Sequence, residues 1–370
     1  MVRVVVIGAG PAGLAVAASL KEWGITSTVL ERSEAVGSAW RRHYDRLALH
    51  TDKARSHLPG LPFADRLPRY VPRAEVVNYL EAYAEHFGIA PAFGANVSRL
   101  HREGNEWHIA AEDGREWQAD HVILATGMAD HPARPDWPGL ESFTGKTLHS
   151  REYRRPGDLL GERVLVVGFG NSGGELAIDL AEAGRKVDLA VRSPVNILPK
   201  ELLGRPIGNW DILRRLFPYK IADALTVGLL RIVLGDYQKY GLKKSVKGPF
   251  AQIIEDGRIP LIDLGTLRLI RSGKIKVRPG IDSVNGNKVR FQGGEEAAYD
   301  ALLLATGYQV DLRALLAEEP DALDEAGRPR KSGGEIAPGL WALSYHPSPD
   351  GQLRRIGAEA KAIADALSAL

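Results

Sequence analysis

Two glycine-rich hexapeptides in this chain have the residue types and spacing to cradle a diphosphate. The first is Gly8-Ala9-Gly10-Pro11-Ala12-Gly13 and the second is Gly168-Phe169-Gly170-Asn171-Ser172-Gly173. In the pattern G-x-G-x-x-G the first glycine permits a tight turn and the second lets the backbone approach a pyrophosphate. The third lets the following helix pack closely on the preceding strand, and the N-terminus of that helix turns free N–H groups toward the phosphates. The chemistry is the binding of a dinucleotide, provided that a strand precedes each loop and a helix follows it.

Both conditions are met in the pattern. Residues 2–7 and 163–167 are valine-rich runs, as expected of parallel strands covered on both faces. Each loop feeds an apolar helical stretch that closes on a glycine, Gly24 or Gly184, at equal spacing from the loop. Residues 120–127 (DHVILATG) are echoed by 300–307 (DALLLATG), so the same nucleotide-binding unit occurs twice. The copies differ where their second strands end. Strand 26–30 runs into Glu31, a carboxylate placed to accept from an adenosine ribose hydroxyl. The same offset in the second copy reaches Val191, followed by Arg192 and Ser193. A carboxylate there would repel a 2′-phosphate, whereas an arginine beside a hydroxyl pairs with it. The alternative for Arg192 is a solvated residue at a strand end. The residues therefore predict FAD in the first unit, permanently held, and NADPH in the second, with hydride passing from the soluble carrier to the bound acceptor.

Positioning the two loops calls for two nested α/β units. The expected division gives residues 1–155 to the first part of an FAD domain, 156–305 to an NADPH domain and 306–370 to the return of the FAD domain. In the first unit the loop 32–40 is longer than an ordinary strand–helix connection, and such loops commonly carry function. An amphipathic helix is predicted over 73–87, and a small meander over 96–100, 107–111 and 116–119. Residues 339–343 read as the last strand, and 351–357 as a turn into a final helix, 358–369, whose N-terminus can face the flavin. Residues 207–250 have no counterpart in the first unit. Apolar residues there, among them Trp210, Leu213, Leu216, Phe217, Ile221 and Leu225, are spaced for one or two amphipathic helices. These either roof the flavin or pack against the second sheet. Lys239, Lys243, Lys244 and Lys247 form a basic cluster, either a solvated face or one that attracts an anionic substrate or lipid surface.

Composition narrows the functional classes. At 370 residues the chain can bury two cores, and a formal net charge of +2 gives no drive toward nucleic acid or anionic membrane. The absence of cysteine removes a disulfide framework, a thiolate zinc site and a Cys-x-x-Cys redox pair, and no metal site is expected. The chain starts on a strand with no leader ahead of it, and its most apolar run, 221–234, is broken by Asp223 and Arg231. The expectation is a cytoplasmic enzyme without a transmembrane segment, open to homo-oligomer formation.

A third motif follows no general nucleotide rule. Phe143-x-Gly145-x-x-x-His149-Ser150-x-x-Tyr153 stands just before the second glycine loop. It resembles the fingerprint of flavin-containing (class B) monooxygenases, and within that group the chain is similar to the plant YUCCA type. Further matching stretches are 44–50 with 58–63, 191–204, 260–265, 272–276 and 304–308, so the likeness covers nearly the whole chain. The sister Baeyer–Villiger enzymes end the motif in tryptophan, where this chain has Tyr153.

The resemblance implies a three-layer, glutathione-reductase-like α/β fold of two nested Rossmann-like domains, the NADPH domain inserted in the FAD domain. Carried over residue by residue, it implies that Gly8, Gly10, Pro11, Ala12 and Gly13 with Glu31 hold the diphosphate and ribose of FAD. Arg32, Ala39 and Trp40 would line that cofactor, and Thr51, Thr126, Gly127 and Gly307 would complete the cofactor-facing set. Gly168, Gly170, Asn171, Ser172, Gly173, Arg192 and Ser193 would hold NADPH. His149 would sit at the domain joint and couple nicotinamide position to domain geometry. His50 stands where many members carry an asparagine that contacts flavin and nicotinamide, and the YUCCA type also uses histidine there. Thr51-Asp52-Lys53 replaces the usual small or proline spacer, and Ser38 stands where a second glycine is usual. Structural roles are the alternatives for both histidines: a loop contact for His50 and an interdomain hydrogen bond for His149.

The implied reaction needs few catalytic side chains. NADPH reduces FAD, O2 adds at flavin C4a, and the resulting peroxyflavin transfers one oxygen atom to a small organic substrate. The protein's task would be to exclude water and hold the reactants in orientation. Likeness to the YUCCA type favours a 2-oxo acid such as indole-3-pyruvate, and the wider family favours N- or S-oxygenation of small amines or sulfides. An NADPH oxidase or reductase, and a redox-sensing flavoprotein that turns over slowly, remain as alternatives of other classes.

Overall fold

The computed structural model describes residues 2–208 and 216–370, so Trp210 and Leu213 of the predicted insertion lie outside the described residues. The chain forms two compact units. One comprises Met1–Arg41, Thr51–His131 and Tyr308–Leu370; the other comprises Arg42–His50 and Pro132–Gly307.

In chain order the first unit opens with β1 (Val4–Ile7), α1 (Pro11–Glu22) and β2 (Ser27–Leu30). Helix α2 (Arg73–His86) follows, then β3 (Val97–Glu103), β4 (Glu106–Ala111), β5 (Glu116–Ala119) and β6 (His121–Leu124). The second unit contributes β7 (Lys146–His149), β8 (Arg163–Val167), α3 (Asn171–Glu182), β9 (Lys186–Ala190), α4 (Tyr219–Leu234), α5 (Pro249–Asp256), β10 (Ile275–Arg278) and β11 (Ala301–Leu304). The chain returns to the first unit with β12 (Gly334–Ala337), β13 (Leu340–Ala342) and α6 (Gln352–Ser368).

The first sheet has the order β2-β1-β6-β13-β12, parallel except for its last pair. The second has the order β10-β9-β8-β11-β7 and is parallel throughout. The central strands β1, β8 and β11 are apolar and buried along nearly their whole length, as sheets covered on both faces require. The predicted meander exists as β3-β4-β5. Strand β4 alternates buried and half-buried residues, and Trp107 and Ile109 share a core with Val5, Ile7 and Leu124 of the first sheet.

Sequence placed the first domain boundary near residue 155. In the structure β7 pairs in parallel with β11, from Lys146 beside Ala301 to His149 beside Leu304, so the linker motif completes the second sheet. The segment Arg42–His50 also packs with the second unit, through a hydrogen bond from Asp45 N–H to the Arg154 carbonyl (2.9 Å). The final helix starts six residues earlier than the pattern predicts (358 against Gln352). Gly351, with φ +94, makes the turn, and Gly357 is not a breaker: a Cβ there would lie 3.2 Å from Pro59 Cδ, so glycine lets the helix approach that proline. In the insertion α4 buries Ala222, Asp223, Thr226, Leu230 and Leu234, the stripe expected of an amphipathic helix. Asp223 accepts from the N–H groups of Phe250 and Ala251 (2.8 Å each) at the start of α5. Burial raises the pKa of this carboxyl.

Candidate cofactor and active site

The two glycine loops have nearly the same geometry, each set by the strand beside it. Gly8 (φ +109) could not carry a Cβ, which would lie 2.5 Å from the Ala125 carbonyl oxygen; Gly168 (φ +104) stands at the same distance from that of Ala305. A Cβ on Gly13 would fall 1.8 Å from the Gly8 oxygen, and one on Gly173 1.9 Å from the Gly168 oxygen. Close backbone packing therefore demands glycine at these four positions. At Gly10 and Gly170 a Cβ would meet nothing within 4 Å, so no protein contact accounts for these glycines. Both are N-caps, of α1 and α3, and neither helix N-terminus is capped by a side chain. An open cradle with uncapped N–H groups fits a diphosphate, and this is what the glycine pattern anticipates. The loops differ at the first helical residue. Pro11 brings no N–H, whereas Asn171 accepts from Ile262 N–H through Oδ1 (2.7 Å) and so ties the second loop to the strand Leu261–Asp263. Ser172 and Ala12 lie in the first turns that follow.

The strand ends diverge further. Glu31 is buried, and its carboxylate accepts from Ala9 N–H (2.8 Å) and Ser33 N–H (2.9 Å). Gly37 N–H donates back to the Ala9 carbonyl (2.9 Å), so the long loop closes onto the glycine loop and the Ala9 peptide is held at both ends. Ala39 and Trp40 follow half-buried in the short helix Ser38–Arg42. In register, Leu30 lies beside Ile7 and Ala190 beside Val167, which makes Val191 the equivalent of Glu31 and Arg192 the equivalent of Arg32. Arg32 is ion-paired with Asp130. Arg192 is exposed and has no hydrogen bond or ion pair among the described residues; Ser193 beside it is half-buried.

The two ATG turns also correspond. Gly127 and Gly307 have φ +81 and +84. Thr126 Oγ1 pairs with the Tyr345 hydroxyl (2.7 Å), and burial pushes the Tyr345 hydroxyl up to about 12. Thr306 instead donates to the Ala133 carbonyl. His149, fully buried at the end of β7, places Nε2 3.0 Å from the Gly307 carbonyl, and Arg151 N–H points at its Nδ1 (3.2 Å). Nδ1 accepts and Nε2 donates, so the ring is neutral, and burial lowers its pKa further below the ordinary histidine range. His149 is thus a fixed strut of the second unit. Thr51 pairs with Ser56 through their hydroxyls (2.7 Å), and its methyl lies 3.1 Å from the position of a Cβ on Gly351, at the start of α6. His50, half-buried, places Nε2 3.4 Å from Oε2 of the buried Glu175.

Four residues here escaped the sequence pattern: Asp130, Tyr345, Glu175 and Tyr44, whose hydroxyl donates to Glu175 (2.8 Å). The one usable signal was an acid at position 175 in an otherwise apolar helical run, Gly173 to Ala177. A cavity of about 400 Å³ in the first unit, lined in part by Arg55, His57, Arg354 and Lys361, contains none of the predicted site residues. Among the described residues no cluster of three or more His, Asp or Glu is arranged to hold a metal, and no helix is long and apolar enough to cross a membrane.

Comparison with known proteins agrees with this geometry. Residues 5–200 match the family described as pyridine nucleotide-disulphide oxidoreductase. Indole-3-pyruvate monooxygenase YUCCA1 of Oryza sativa subsp. japonica is 39% identical over 327 residues, 87% of this chain and 80% of that protein. The enzyme YUCCA6 of Arabidopsis thaliana is 38% identical over 353 residues, 92% of this chain and 85% of its own. The chain belongs to the YUCCA-type flavin monooxygenases. Its fold is shared with the flavin-containing monooxygenase from Stenotrophomonas maltophilia, at TM-score 0.77 and 23% identity over 100% of this chain and 98% of that one. It is shared too with cyclohexanone monooxygenase from Rhodococcus sp. Phi1, at TM-score 0.73 and 19% identity over 100% and 84%. As a YUCCA-type flavin monooxygenase, the protein is an oxidoreductase that works with FAD, NADPH and O2. Having no cysteine, it cannot perform the disulfide chemistry in the family's description.

Proposed function

We propose that the chain oxygenates an aryl 2-oxo acid of the indole-3-pyruvate kind, with loss of CO2. The support for this substrate class is the near-full-length likeness to indole-3-pyruvate monooxygenases. The observation that carries the division of labour between cofactors is the contrast between the held Glu31 and Arg192, which has no partner among the described residues.

In this reading the uncapped start of α1, with Gly8, Gly10, Pro11, Ala12 and Gly13, takes the diphosphate of FAD, and Glu31 accepts from its ribose. Arg32, Ala39, Trp40, Thr51, Thr126 and Gly127 line the same cofactor. Gly168, Gly170, Asn171, Ser172 and Gly173 take the diphosphate of NADPH, and Arg192 with Ser193 takes its 2′-phosphate. Gly307 borders the second site. FAD would supply the electron acceptor and the centre of oxygen activation, and NADPH the hydride. The chain's own part is binding, orientation and exclusion of water. His149 holds the Gly307 turn as a neutral donor and carries no proton in turnover. His50 presents a polar edge to the reacting cofactors and is the one side chain we assign there.

The test is stoichiometry with the purified FAD-loaded protein. Supplied with NADPH, O2 and indole-3-pyruvate, it should release one CO2 and one shortened acid for each NADPH consumed. With catalase present to remove free peroxide, which by itself decarboxylates 2-oxo acids, NADPH consumption that leaves the 2-oxo acid untouched would make it an oxidase and sink the proposal. Labelled O2 should place one oxygen atom in the product acid.

A further inference from the structure

Glu175 lies in the first turns of α3, just beyond the second glycine loop, and is only 4% exposed. None of the cofactor-binding roles above uses it. A carboxylate out of water is costly unless donors surround it, so a buried one that survives has partners. The Tyr44 hydroxyl donates to Oε2 at 2.8 Å, and His50 Nε2 faces the same oxygen at 3.4 Å. The first is a short hydrogen bond. The second is long, so the attraction between imidazole and carboxylate is mainly electrostatic. His50 Nε2 has no other partner among the described residues. Tyr44 and His50 are near opposite ends of Arg42–His50, the segment that leaves the first unit to pack with the second. Glu175 therefore pins both ends of that segment.

The other charged groups that face this carboxylate are Lys200, Arg46 and Asp179. Lys200 is half-buried and attracted by Glu175, with burial working to lower its pKa. Arg46 feels Glu175 while pairing with Glu182 (2.6 Å) and more loosely with Asp179 (3.7 Å). Asp179, one turn further along α3, accepts from the Tyr153 hydroxyl (2.7 Å). Asp179 thus makes a second acid–phenol pair on the same helix, with Tyr153 buried and Asp179 half-buried.

We propose that Glu175 is a positioning residue for His50. Its carboxylate holds the imidazole with Nε2–H turned inward, which leaves Nδ1 as the edge available to a bound cofactor or oxygen species. This rests on the reading of His50 as a residue that meets the reacting cofactors. Tyr44 occupies a second lone pair of the carboxylate, so the acid cannot swing away from the ring without losing a short hydrogen bond.

The experiment uses the full-length FAD-loaded protein with isotopically labelled imidazole nitrogens. Two-bond proton–nitrogen correlations at mildly alkaline pH report which ring nitrogen carries the proton, and the His50 signals are those lost in His50→Asn. The wild type should show His50 protonated at Nε2. Glu175→Leu should lose that preference, Glu175→Gln should keep it in part through its amide oxygen, and Tyr44→Phe should leave it unchanged. An unchanged His50 tautomer in both Glu175 variants would overturn the proposal, even if those variants unfold more easily. A kinetic arm isolates the underlying reading. The fraction of NADPH electrons lost as hydrogen peroxide should rise about threefold to tenfold in Glu175→Leu and in His50→Leu, and no further in the double variant. Additive losses would overturn the positioning role. If His50→Leu leaves peroxide release unchanged while Glu175→Leu still changes the tautomer, the positioning role stands and the placement of His50 at the cofactors falls.

Discussion

In the first unit Arg32 follows the second strand of its sheet and is ion-paired with Asp130; in the second unit Arg192 follows the equivalent strand and has no partner among the described residues. The residue before each differs as well: a buried Glu31 in one, Val191 in the other. The backbone cradles are alike to within a tenth of an ångström at the positions where a side chain is forbidden. Duplicated loops thus grip what two dinucleotides share, the diphosphate. Selection falls to the charge left at the strand end. A held carboxylate accepts from ribose hydroxyls and repels a 2′-phosphate, whereas an unneutralised guanidinium attracts one.

The strongest way to break this comparison is to spoil one cradle at a time. A Cβ on Gly13 or Gly173 strikes a carbonyl oxygen, so Gly13→Ala should yield colourless protein, and Gly173→Ala should stay yellow while NADPH binding weakens roughly a hundredfold. Absorbance of the purified variants and equilibrium titration with NADPH read both outcomes. Equal loss of flavin and NADPH in either variant would contradict separate sites. Gly10→Ala and Gly170→Ala sharpen the same point. Their added methyl meets no protein atom within 4 Å, so the apoprotein should melt at the wild-type temperature and only the matching cofactor should bind less tightly.

A smaller effect is expected at Glu31. Glu31→Gln keeps the shape but removes the charge-assisted bonds from Ala9 and Ser33, so flavin affinity should drop about tenfold with NADPH affinity unaffected. Flavin release on dilution measures it.

The smallest effects concern the two ATG turns, which are held by different chemistry. Tyr345→Phe removes the partner of Thr126 and should cost about 1 kcal/mol, evenly across acid and neutral pH, because the phenol titrates only near about 12. His149→Gln should change the pH dependence instead. Burial lowers the folded-state pKa of His149, so the unfolded chain takes up the proton first. Stability is then complete above the ordinary value of 6.5 and is lost as pH falls from there toward the folded value. The variant should show a shallower decline of melting temperature over that acidic window. His121 and His346, also lowered by burial, act with the same sign and keep the slope from vanishing.

How much of this could be read from the chain depended on the range of the physics. The glycine loops were legible because local backbone demands glycine: Gly13 and Gly173 pack on the oxygens of Gly8 and Gly168 five positions earlier, and Gly8 and Gly168 take positive φ. The element order and the paired sheets followed from them. Glu175 was legible only as an acid in an apolar helical run, since its meaning comes from Tyr44, 131 positions away. Tyr345 and Thr126 are separated by 219 positions and share no local pattern. Gly357 misled the placement of α6 because a glycine that admits Pro59 looks the same in sequence as one that ends a turn. The equivalence of Val191 with Glu31, and so of Arg192 with Arg32, was legible from the common offset and strand register repeats it, whereas the pairing that separates the two arginines depends on Asp130, in another part of the first unit.

The most direct test of the account is the ratio of half-saturating NADH to NADPH concentrations for anaerobic flavin reduction, compared between the wild type and Arg192→Ala. The account predicts that the wild type favours NADPH and that the variant loses about tenfold to a hundredfold of that preference, through NADPH alone. A ratio that stays at the wild-type value, or equal weakening of both nucleotides, would contradict it.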